Sequence, residues 1–127
     1  MSLARFPLTT MLRCQDLTAQ KRFYAEVLGL KIVQTYPSGE VFLEAGNGTR
    51  LGLYPGERSK ADHTIACFTV DDIEAVVKQL AAKGQKLMDY DAPGFKTVNH
   101  ILTMEGHKAA WLQDPEGNFI GLGQDTK

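Results

Sequence analysis

The side chains most able to do chemistry are three histidines, two cysteines and a single tryptophan. His100, Glu105 and His107 form a His-x4-Glu-x-His string of the residue types that hold zinc, iron or manganese. Its spacing fits no helical ligand motif, and Gly106 interrupts a helix, so the string reads as a solvated loop. His63 and Cys67 fall on one face of a strand, where a thiol beside an imidazole would make a nucleophile. Four residues along a strand span roughly 13 Å, too far for contact. Cys14 and Cys67 each sit inside an apolar strand pattern and read as buried free thiols in a reducing compartment. No Gly-x-Ser-x-Gly elbow is present. No glycine-rich phosphate loop follows a strand, and no basic patch alternates with aromatics as single-strand binders need.

The elements that position these groups read clearly. Ala110 to Leu122 is strand, turn, strand: Asp114 opens the turn, Pro115 pre-sets φ, and Gly117 can take φ > 0. From the start of the chain, Phe6 to Cys14 is a strand and Asp16 a helix N-cap. Leu17, Gln20, Phe23, Tyr24, Val27 and Leu28 recur at helical spacing, and Gly29 ends the helix. Leu30 to Tyr36, Glu40 to Ala45 and Arg50 to Tyr54 are strands, with Gly46-Asn47-Gly48 a tight hairpin turn. The order then repeats. His63 to Val70 is a strand, and Asp71 caps a helix with Glu74 completing a capping box. Ile73, Val76, Val77, Leu80 and Ala81 form the apolar stripe, and Gly84 ends it. Gln85 to Tyr90 is β-like, and Lys108 to Leu112 pairs with Asn118 to Leu122.

Asp16-Leu17 matches Asp72-Ile73 at an offset of 56, and Gly29 matches Gly84 at 55. Leu51-Gly52-Leu53 matches Ile120-Gly121-Leu122 at 69. These offsets define two βαβββ modules in tandem, about 6–56 and 61–124, within a single domain of 1–127. The jump in offset places a loop insertion over about 91–107. Such a unit carries a helix on one sheet face only, so the other face needs cover or a ligand. Hydrophobic residues make up 43% of the chain and charged residues 23%, as in ordinary globular domains. The formal net charge of -1 gives no pull toward nucleic acid or a membrane surface. No apolar run is long enough for a transmembrane helix. The first residues lack the apolar core of a signal peptide, so the expectation is a cytoplasmic protein.

Asp114-Pro115-Glu116-Gly117-Asn118 followed by Phe119-Ile120-Gly121-Leu122 resembles the closing hairpin of the vicinal oxygen chelate superfamily, which holds the glyoxalases, bleomycin-resistance proteins and extradiol dioxygenases. Arg22 to Leu30, with its aromatic pair and Leu-Gly-Leu, resembles the family's first helix. Thr9 to Leu17 resembles the glyoxalase first strand. The resemblance covers roughly Leu8 to Gln124. It implies an α+β fold in which the two modules form a curved eight-stranded open barrel, and a homodimer that covers exposed sheet edges. Family enzymes bind a divalent metal through His, Gln or Glu on the first and last strands of each module. Carried over one by one, those positions fall on Thr9, Gly52, Ile65 and Gly121. Threonine is a poor ligand for a transition metal, and glycine and isoleucine offer none.

The expectation is therefore a protein with no metal or other cofactor. Glycine in place of two carboxylates would enlarge the floor of the cup and remove negative charge, leaving room for a small organic ligand. Whether it is an enzyme stays open; the alternative is a glyoxalase-like lyase or isomerase, or a dioxygenase relative, using a metal with non-standard ligands. By strand alternation the pocket is lined by Thr9, Met11, Arg50, Tyr54, His63, Cys67 and Phe119. Arg50 would meet an anionic or carbonyl-bearing ligand, or stand as a solvated strand-start charge. Trp111 is either core or a stacking partner. His63 reads as a polar group of the pocket, an exposed strand-end residue, or a metal ligand one step up the strand. Pro93-Gly94-Phe95 reads as solvated loop or as a lid over the cup.

Overall fold

A computed structural model describes residues 2–126. The chain divides into two compact units, Met1–Ser59 and Lys60–Lys127.

The first unit runs β1 (Thr9–Cys14), α1 (Leu17–Arg22), β2 (Lys31–Thr35), β3 (Val41–Glu44) and β4 (Arg50–Pro55). Its sheet has the order β1-β4-β3-β2, with β1 and β4 parallel and the other pairs antiparallel. Asp16 caps α1 by accepting from the Ala19 amide at 3.0 Å. The helical spacing read from Leu17 to Leu28 does not continue as one α-helix. Phe23–Val27 forms a π-helical turn in which the Leu28 amide donates to the Phe23 carbonyl. This wider turn lets two consecutive aromatics, Phe23 and Tyr24, be buried together, edge to face at 5.1 Å. One sheet face supplies Leu12, Cys14, Val41, Leu43, Leu51 and Leu53 to the core under the helix. The alternate residues, among them Thr9, Met11, Phe42, Arg50, Gly52 and Tyr54, occupy the opposite face.

The second unit runs β5 (Thr64–Thr69), α2 (Ile73–Ala82), β6 (Asp91–Ala92), β7 (Phe95–Val98), β8 (Ile101–Met104), β9 (His107–Gln113) and β10 (Phe119–Asp125). Its order is β5-β10-β9-β8-β7-β6, with β5 and β10 parallel. The helix cap is Asp72 rather than Asp71: its carboxylate accepts from the Ala75 amide at 3.2 Å. Ile73, Val77 and Leu80 are buried, Val76 is half-buried, and Ala81 is exposed. The helix is tied to its sheet by the Gln124 side chain, which accepts from the Ile73 amide, and by the Lys108–Glu74 ion pair. Both sheet residues lie on the face that buries Ala110, Leu112, Ile120 and Leu122.

The expected loop over 91–107 is instead an antiparallel meander of β6, β7 and β8. Conversely, Gln85 to Tyr90 contributes only a bridge from Leu87 to Leu112. Thus β8 takes the place beside β9 that β2 takes beside β3, and the inserted residues precede it. The sheets are mixed, with ten strands among the described residues and few helices, an α+β architecture built from a repeated βαβββ plan. No helix of the described residues is long and apolar enough to cross a membrane.

Candidate functional site

The sheet faces turned away from the helices carry most of the expected site residues, and each unit presents its own set. In the first unit, β1 and β4 place Thr9 beside Arg50, Met11 beside Gly52 and Arg13 beside Tyr54. Thr9 and Tyr54 are half-buried; Met11 and Arg50 are exposed. Gly52 is buried, and its neighbours have closed over it. A Cβ built there would meet the Met11 sulfur at 2.5 Å and Phe42 Cε1 at 2.9 Å. The enlarged floor expected from this glycine is therefore filled by a thioether and an aromatic ring. Phe42 in turn meets Tyr36 edge to face at 5.8 Å, and the Arg50 guanidinium carbon stands 5.9 Å from the Phe42 ring centroid.

In the second unit, β9 and β10 place Trp111 beside Gly121, and β5 and β10 place Cys67 beside Gly121. The β5–β10 ladder pairs Phe119 with Thr64 and then Ile120 with Ala66, skipping Ile65. This bulge shifts the face assignment read from strict alternation. The side chain that comes against Gly121 is that of Thr64, 3.3 Å from the Cβ position, together with Cys67 Sγ at 3.3 Å. His63 lies just ahead of β5 as an exposed residue, 3.5 Å from the Asp62 carboxylate. Phe119 is half-buried.

Cys14 is buried, as its pattern predicts, but Cys67 is exposed. Desolvation nevertheless raises the Cys67 thiol above its ordinary pKa. Exposure of the residue and desolvation of the thiol pull in different directions.

Trp111 is neither simple core nor alone. Tyr90 meets it edge-on at 5.5 Å, Phe95 tilts against it at 5.6 Å and 31°, and Tyr90 and Phe95 touch each other at 5.3 Å. Tyr90 reads by default as a surface residue in the sequence. Its backbone and the Thr97 backbone and hydroxyl bond to one another, holding it against the β6–β7 hairpin. The signal that could have found this cluster is the spacing of aromatics on either side of Pro93-Gly94, a hairpin turn.

The His100, Glu105, His107 string is split by the meander. Asn99 and His100 both take positive φ in the two-residue β7–β8 turn, and His100 Nδ1 lies 2.8 Å from the Asp89 carboxylate. Glu105 and His107 instead flank the β8–β9 turn, where with Gly106 and Asp125 they line an open depression. Among the described residues no group of three or more His, Cys, Asp or Glu side chains is placed to hold a metal ion. Thr9, Gly52, Ile65 and Gly121 do not fit one either, since only Thr9 offers a side-chain oxygen.

The Glyoxalase/Bleomycin resistance protein/Dioxygenase superfamily profile matches residues 7–122, and the chain belongs to that family. No curated protein matches the sequence. Solved structures share its fold. A lactoylglutathione lyase from Agrobacterium tumefaciens is 24% identical with a TM-score of 0.71, covering 94% of this chain and 93% of its own. An antibiotic-binding protein from a Streptomyces species is 22% identical with a TM-score of 0.73, covering 99% and 100%. A glyoxalase/bleomycin resistance protein/dioxygenase from Alicyclobacillus acidocaldarius is 18% identical with a TM-score of 0.72, covering 100% and 96%.

Proposed function

We propose that this protein binds a small organic molecule without a metal, on the sheet faces that its helices leave uncovered. The observation that carries the reading is Gly52. Where family enzymes hold a carboxylate, this chain has no side chain, and Met11 and Phe42 lie in the space instead. A thioether and an aromatic ring closing over one backbone position make an adaptable apolar surface suited to organic ligands and poorly suited to a hard or borderline cation. Trp111, with Tyr90 and Phe95 against it, supports the same reading in the second unit. The ligand-binding set is Thr9, Met11, Arg50 and Tyr54 from the first unit, with Cys67, Trp111, Phe119 and the exposed His63 from the second. The antibiotic-binding relative supports sequestration as the biological use. The reading also carries a homodimer and a cytoplasmic location, which light scattering and cell fractionation test.

Two measurements test the binding reading together. Protein purified without chelator should contain no stoichiometric zinc, nickel, iron or manganese by elemental analysis. Planar aromatic and carboxylate compounds titrated against Trp111 fluorescence should give saturable quenching. Stoichiometric metal at Thr9, Gly52, Ile65 and Gly121 would replace binding with metal-assisted catalysis as the function.

A further inference from the structure

We propose that the open face of the first unit holds an aromatic carboxylate, its ring on Met11 and Phe42 and its carboxylate on Arg50; this rests on the small-molecule reading above. The argument starts from register. Thr9, Arg50, Glu44 and Lys31 are partners in turn across β1, β4, β3 and β2, so they form one row on one face. The row carries two cations and one carboxylate, leaving it net positive. Glu44 has a cation on either side, at Lys31 and at Arg50. Yet among the described residues Arg50 makes no ion pair, not even with Glu44.

The guanidinium is turned instead toward the Phe42 ring. A planar guanidinium near a ring keeps its N–H edges available, and these grip a carboxylate through two parallel hydrogen bonds. Thr9, the partner of Arg50 on β1, adds a hydroxyl donor on the side away from Glu44. One row further along lies the apolar pad. Met11 and Phe42 meet above Gly52, and Met11 is 43% exposed, which leaves an apolar surface open beside an unpaired cation. A ligand that satisfies both needs a flat apolar body with one anionic edge. A neutral aromatic compound would leave the cation unused. An aliphatic acid would cover little of the pad.

The test uses the full chain labelled at its methionine methyl groups with carbon-13, the Met11 signal being assigned by Met11→Leu. The probes are 1-naphthoate and its neutral analogue 1-naphthamide. The expected result is that 1-naphthoate shifts the Met11 methyl and binds at least about tenfold more tightly than 1-naphthamide, the scale of a charge-assisted pair of hydrogen bonds. Arg50→Leu should bring 1-naphthoate down to the affinity of the amide. Arg50→Lys should recover part of the difference, because an ammonium supplies the charge without the fork. Arg50 is exposed at the start of a strand, so both variants should keep the parent's methyl spectrum elsewhere. Equal affinity for the two probes, or an Arg50→Leu protein that binds 1-naphthoate as well as the parent, overturns the carboxylate site and leaves small-molecule binding standing. No shift and no heat of binding with any aromatic compound overturns both.

Discussion

Asp114 is the residue whose loss should be felt furthest. It is 4% exposed, and it sits at the turn joining β9 to β10. Its Oδ1 accepts from the Glu116 and Asn118 amides at 3.0 Å each, and its Oδ2 accepts from Asn118 Nδ2 at 2.8 Å. The turn closes as the Gly117 amide donates to the Asp114 carbonyl, with Gly117 at φ +84. Asp114→Ala removes three hydrogen bonds at once and strands buried donors. Each orphaned donor costs about 1–3 kcal/mol, so a total of roughly 3–5 kcal/mol is expected after partial relaxation. Asp114→Asn keeps an oxygen for the two amides but sets an amide nitrogen against Asn118 Nδ2, for about 1–2 kcal/mol. Urea unfolding of both variants reads these costs directly, and for a chain of this size they correspond to roughly 3–5 °C of Tm per kcal/mol. The turn also sets the register that puts Trp111 opposite Gly121, and a slip of one residue would move Trp111 to the helix face. Its fluorescence emission should therefore shift in Asp114→Ala at temperatures where the protein is still folded. A cost below about 1 kcal/mol for Asp114→Ala would show that water replaces the carboxylate, and the reasoning from buried donors would fail.

Other consequences are simpler to measure. Val77→Ala, on the buried stripe of α2, should lose about 1–3 kcal/mol by chemical denaturation as a cavity variant. In native protein, iodoacetamide should label Cys67 and spare Cys14 until unfolding, with a midpoint pH for Cys67 above that of an ordinary thiol; mass spectrometry of both peptides checks this. The hydrogen bond from Lys108 holds the Glu74 carboxyl below its usual range. A depressed carboxylate contributes stability above its unfolded pKa and loses it as pH falls through its folded one, so the stability gap between parent and Glu74→Gln should close on acidification through that window. A gap that widens on acidification would reverse that sign.

The repeat was legible because it rests on local chemistry. Asp16, Gly29, Gly84 and the Asp114 turn are caps and turns, and their residues act within a few positions of themselves. Longer-range choices were not legible. Read as a sequence, Gln85–Tyr90 is the strand of this module and Ile101–Met104 falls in the loop, whereas in the fold Ile101–Met104 pairs with β9. Ile101 and Leu102 are buried there, whereas Gln85 to Tyr90 is drawn off to hold Thr97 and bridge Leu112. The neighbouring aspartates Asp71 and Asp72 look equivalent on paper, and one residue of helix phase selects the second. A related effect acts on β5: the ladder with β10 skips Ile65, and this bulge breaks the two-residue period on which every inward-facing assignment depends.

Gly52 and Gly121 differ in what their neighbours have done, and this separates the units chemically. At Gly52 a Cβ would come closer to both Met11 and Phe42 than real side chains tolerate, so both must shift, Met11 at the flexible end of its side chain and Phe42 as a ring. At Gly121 the nearest groups are Thr64 and Cys67, both at 3.3 Å, and a small shift of either admits a Cβ. Gly52→Ala should therefore perturb the Met11 methyl environment and destabilise the fold by about 1–3 kcal/mol through overpacking, the cost falling when Met11→Ala is added because the sulfur is the first atom in the way. Gly121→Ala should be nearly neutral. Equal costs at the two positions would mean that Met11 swings aside freely, which would make the pad beside Arg50 a soft surface rather than a formed one.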